Sequence, residues 1–129
     1  MSNENQLEVG THPFTVGTAG VSKTGTLYIY LDNPTENLYR TFVESDAARE
    51  VAVDFFQKAK LSQFVPQNHA RLKTANLYAK IADLVNACDE KPSVNLNCRL
   101  KPSQTEKGVA YLTPYPSNGG TGGRRILKS

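Results

Sequence analysis

The hydrophobic period of this chain changes twice, and that order restricts its fold more than any motif does. Alternation dominates up to about residue 44, helical spacing from 45 to 88, and alternation again from 93 to 113. Phe14 and Val16 alternate in a first strand near 12–18, followed by a turn near 19–25. LYIYL, 27–31, is the second strand, DNPTEN is a turn, and LYRTFVE, 38–44, is a third strand rich in aromatic and β-branched residues. Strands adjacent in sequence form antiparallel hairpins, so the chain is α+β rather than alternating α/β.

The first helix is the strongest pattern. Ser45 or Asp46 caps it, and Ala48, Val51, Ala52, Phe55, Phe56 and Ala59 recur at the spacing of one buried face. A second helix is predicted from Gln67 to Cys88, with Ala70, Leu77, Tyr78, Ile81, Val85 and Cys88 inward. Pro92 stops it. SVNLNCRL, 93–100, then alternates Val94, Leu96, Cys98 and Leu100 against Asn95, Asn97, Arg99 and Lys101, and VAYLT, 109–113, returns as its partner. The predicted architecture is a five-stranded antiparallel sheet with two helices between strands three and four. The expected core holds Val51, Phe55, Phe56, Leu77, Ile81, Val85, Leu96 and Cys98.

A length of 129 residues suits one domain. Residues 1–8 read as a flexible N-terminus, 9–115 as the domain, and 116–129 as a flexible Gly-rich basic tail. The opening MSNENQLEVG lacks the basic start and apolar core of a signal peptide, and no apolar run is long enough to span a membrane, so a soluble cytoplasmic protein is expected. The formal charge is +3, and Arg124, Arg125 and Lys128 account for all of it. A global pull on anions therefore comes from the tail.

Motifs for chemistry are missing. GVSKTGT has Thr26 after Gly25 where a phosphate loop has its Lys and is followed by a strand, GTAG lacks the spacing of a dinucleotide fingerprint, and neither GxSxG nor HExxH occurs. His12, His69, Cys88 and Cys98 do not match the ligand spacing of a zinc site. No catalytic residue, metal or cofactor is expected, and the chain reads as a non-enzyme.

Recognition patterns remain. In LYIYL one face is aliphatic and the other carries Tyr28 and Tyr30, a surface on which bases can stack as readily as it can pack in a core. Asn95, Asn97, Arg99 and Lys101 form a polar, basic strip on the fourth strand, and His69, Lys73, Asn76 and Lys80 form a stripe on the predicted second helix. With Arg124 and Arg125 of the tail, these point to an extended anion with π-faces. Tyr and Arg also anchor protein interfaces. A small accessory or inhibitory protein module, or a structural assembly subunit, is therefore the alternative, and homo-oligomerisation stays open.

The succession of strand, the glycine-bearing turn VSKTGT, strand, then YRTFVESDAAREVAVDFFQKAK and two further strands resembles the oligonucleotide-binding (OB) barrel of single-stranded DNA-binding proteins. The resemblance covers residues 9–113 in outline. It implies a five-stranded, partial OB-like barrel with a nucleic-acid groove. In two respects the chain departs from that family: the second helix is an insertion, and the tail reads GGRRILKS where the family has an acidic tip.

Overall fold

The computed structural model describes residues 7–102 and 106–116. The sheet expectation holds: five antiparallel strands lie in the order β3-β2-β1-β4-β5. They are β1 (Gly10–Val21), β2 (Leu27–Asp32), β3 (Leu38–Phe42), β4 (Ser93–Pro102) and β5 (Ala110–Pro116). Helices α1 (Asp46–Lys58) and α2 (Thr74–Ala87) follow β3 in the chain, with two short 3₁₀ turns between them. The expected flexible tail falls outside the described residues beyond Pro116, as does most of the expected flexible N-terminus.

The long strand β1 is shared between two partners. Its first half pairs with β4 and its second half with β2. Between Val16↔Leu31 and Ala19↔Ile29 three steps on β1 face two on β2, which is a bulge. The extra residue restores the phase, so Val16 and Ala19 both stay buried although an odd number of steps separates them. Asn86 of α2 secures the bulge. Its side-chain amide accepts from Ala19 N at 3.0 Å and donates to Ala19 O at 2.8 Å, as a neighbouring strand would.

Curling brings the two edge strands β3 and β5 toward each other without closing a barrel. At the approach, Arg40 Nη1 donates to Pro114 O at 3.1 Å. Inside the curl lie Phe14, Leu27, Ile29, Leu31 and Leu96, covered by Phe55 and Phe56 of α1 and by Leu77, Ile81 and Val85 of α2.

Helix α1 begins as its sequence dictates. Ser45 Oγ accepts from Ala48 N at 3.0 Å, with Asp46 in the first turn and Lys58 in the last. It ends on Lys60 at φ 66°, after which Leu61 N reaches back to Phe56 O at 2.7 Å. That 6→1 bond is a Schellman closure, and Leu61 is buried against the core.

Three expectations need correction. Val51 is half exposed, because the stripe formed by Ala52, Phe55, Phe56 and Ala59 is centred about 100° from it around the helix. Leu100 is 61% exposed: it lies beyond the residues at which β4 pairs with β1, so its strand has outrun the core. The second helix does not run unbroken from Gln67. Residues 69–71 form a 3₁₀ turn, Leu72 is extended, and α2 starts at Thr74. Arg49 of α1 explains the break: its guanidinium donates to His69 O and Leu72 O, both at 2.5 Å. The expected stripe of His69 with Lys73, Asn76 and Lys80 therefore does not lie on one helix.

Candidate nucleic-acid interface

Aromatic residues are sorted by chemistry. All five phenylalanines are buried, whereas five of the six tyrosines lie on the outer face of the sheet. The exception, Tyr78, is fully buried and donates its hydroxyl proton to Val43 O at 2.7 Å, which satisfies the one polar atom it takes inside.

Alternation in β2 and β3 sets three of the outer tyrosines side by side. Leu27, Ile29 and Leu31 are buried while Tyr28 and Tyr30 face out, and on β3 Leu38, Arg40 and Phe42 are buried while Tyr39 and Thr41 face out. Tyr30 and Tyr39 are register partners with ring centroids 5.8 Å apart, and Tyr28 and Tyr30 lie edge to face at 5.6 Å. Glycines on β1 make room for the rings. A Cβ at Gly20 would collide with the Tyr28 ring and hydroxyl, whereas one at Gly17 would meet Asp32 Oδ2 at 3.1 Å and the Tyr30 Cβ at 3.3 Å.

Beyond Tyr39 lies a cleft of about 370 Å³ between the edges of β3 and β5, lined among others by Tyr39, Thr41, Lys101, Tyr111 and Thr113. Tyr111 donates to Glu106 Oε1 at 2.5 Å, and that bond holds its phenol proton above the usual range. Arg99 lies over the ring of Tyr115 at 4.1 Å. Arg40 is 8% exposed, among the rings of Phe42, Phe55 and Tyr115, and no carboxylate among the described residues pairs with it. Burial pulls its pKa below the usual arginine value.

The residues singled out from sequence divide into four groups. Tyr28 and Tyr30 belong to the tyrosine row. Asn97, Arg99 and Lys101 face out from β4; of the three, Lys101 lines the β3–β5 cleft with Tyr39, and Arg99 lies over Tyr115. Lys73, the N-cap of α2, and Lys80 on that helix are exposed, and α2 packs on the core side of β1, so the sheet separates them from the tyrosines. Arg124 and Arg125 lie outside the described residues. Sequence reading passed over Tyr39, Tyr111, Tyr115 and Arg40. The alternation of LYRTF already signalled Tyr39; the other three depend on how closely β3 approaches β5.

Among the described residues, no group of three or more His, Cys, Asp or Glu side chains is placed to hold a metal ion, and no helix is long and apolar enough to cross a membrane. No family model matches the chain, and no curated protein is similar to it.

Proposed function

We propose that this protein is a non-catalytic binder of single-stranded nucleic acid, with the row Tyr28, Tyr30 and Tyr39 as its stacking platform. The observation that carries this reading is the sorting of aromatics. Tyrosine rings are costly to leave in water, yet they are gathered on one sheet face, with Gly20 leaving room for the Tyr28 ring. Bases stack on such rings whatever their identity, at about 1–3 kcal/mol each. Lys101 and, beside Tyr115, Arg99 supply cations for phosphates. The resemblance to the OB family supports the same assignment, since that partly open five-stranded barrel binds oligonucleotides on the face of its second and third strands. The proposed site leaves out Lys73 and Lys80.

Fluorescence anisotropy of a labelled oligonucleotide tests the proposal. Binding should be tolerant of base sequence and weakened by Tyr30→Ala and Tyr39→Ala but not by Lys80→Ala. Lack of binding at protein concentrations of about 100 μM, where affinities of about 5.5 kcal/mol register, would refute it. A protein partner for the same tyrosines would then be the better reading.

A further inference from the structure

Beside the tyrosine face lies a groove whose apolar lining reaches beyond the core, with Leu7 and Leu112 at its inner side. It is lined by Leu7, Val9, Leu100, Ala110, Tyr111 and Leu112. Val9, Leu100 and Tyr111 are each more than half exposed, and Leu100 occupies a position where strand alternation calls for burial. Two carboxylates, Glu8 and Glu36, stand in the same lining. Both stand beside Leu7, whose N–H donates to Glu36 Oε1 at 2.9 Å, so the groove asks for a ligand that is apolar with cations at one end.

One segment of the chain has that composition. Residues 124–129 read RRILKS, an Ile-Leu pair between two arginines and a lysine. The other undescribed stretches, 1–6 and 103–105, offer Met1 as their one apolar side chain and no cation. The reach is sufficient. Pro116 ends β5 about 20 Å from Ala110, at the strand rise of about 3.3 Å per residue. The nine residues 117–125, four of them glycine, span up to about 30 Å when extended. A chain leaving Pro116 can therefore turn back and set Ile126 at the groove of its own domain.

We propose that the C-terminal segment RRILKS docks in this groove of its own chain, with Ile126 and Leu127 on Leu100 and Tyr111 and its arginines beside Glu8 and Glu36. The glycines of 117–123 then serve as a tether, and the docked segment covers the apolar surface that β4 and β5 leave bare. The proposal does not depend on the nucleic-acid reading.

Nuclear magnetic resonance on the full-length protein tests it. The methyl groups of Ile126 and Leu127 should show nuclear Overhauser effects to Leu100 and the Tyr111 ring. Backbone order parameters at 126 and 127 should lie near the rigid value of about 0.85, and fall below about 0.6 in Leu100→Ser. Leu100 lies outside the core, and retained amide dispersion would verify that the variant is folded. Mobile residues 126 and 127 in the native protein, or order unaffected by Leu100→Ser in a folded variant, would overturn the proposal. So would contacts seen only between differently labelled chains in a mixed sample, since the occupant would then be the tail of a second copy.

Discussion

Arg40 shows how one side chain can substitute for a missing strand contact. It sits at a core-facing position of β3, where alternation calls for an apolar residue, and spans to the β5 edge at Pro114 O. Its guanidinium lies 5.1 Å from the Phe55 ring centre, so Phe55 supports both the core and the cation. Phe55→Ala should cost about 3–5 kcal/mol in a denaturant melt, the usual sum of lost transfer energy and cavity. Cys98 offers a second test at this scale. Burial pushes its thiol up to about 11, from an ordinary value of 9.0. Below the lower value both states are protonated and nothing changes. Between the two the unfolded thiol ionises while the folded one keeps its proton, so stability falls as pH rises. Thermal melts should therefore decline between about pH 9 and pH 11, and Cys98→Val should lessen that decline. In the native state near pH 8 a thiol reagent should label the half-buried Cys88 and leave Cys98 untouched.

At the level of elements, two ends are set by different forces. Helix α1 stops on Lys60 in the left-handed region, where a Cβ is strained and glycine is not. Lys60→Gly should raise stability by up to about 1 kcal/mol, provided the Schellman bonds persist, and a chemical melt measures it. Helix α2 starts late because Arg49 takes the carbonyls of His69 and Leu72. Arg49→Met keeps much of the stem and removes three donated bonds, one of them to Thr74 Oγ1. It should cost about 1.5–3 kcal/mol per charged bond lost at most, and speed amide exchange at residues 69–74 before the core exchanges.

Across the whole molecule, the decisive event is the curl that carries β3 toward β5. It brings Tyr39 to the register partners Lys101 and Tyr111 around one cleft, although β3 and β5 are opposite edges of the sheet. Because few cations lie near the tyrosines, nucleic-acid affinity should depend only moderately on salt. Contact with about 3–5 phosphates gives a log–log slope of about −2 to −3.5 on a single strand. Tyr28→Ala should weaken binding by about 1–3 kcal/mol if a base stacks on that ring, although Tyr28 also covers Gly20 and the variant must be checked for stability. Anisotropy titrations at several salt concentrations measure both quantities.

Local pattern determined the class of each element and most of its buried face. Period two in LYIYL and SVNLNCRL and period 3.6 around Phe55 and Phe56 are properties of neighbouring residues, so they are legible in order along the chain. The inward positions of Leu77, Ile81, Val85, Leu96 and Cys98 and the outward positions of Tyr28, Tyr30 and Arg99 follow from the same periods. What depends on residues distant in sequence was decided by tertiary structure. Arg49 broke the second helix through carbonyls 20 and 23 residues away. The end of β1 pairing left Leu100 in water. Packing α2 on the core side of the sheet took Lys73 and Lys80 away from the tyrosines. The cleft itself exists only because two edge strands approach without pairing, and no local period records how close two such edges will come.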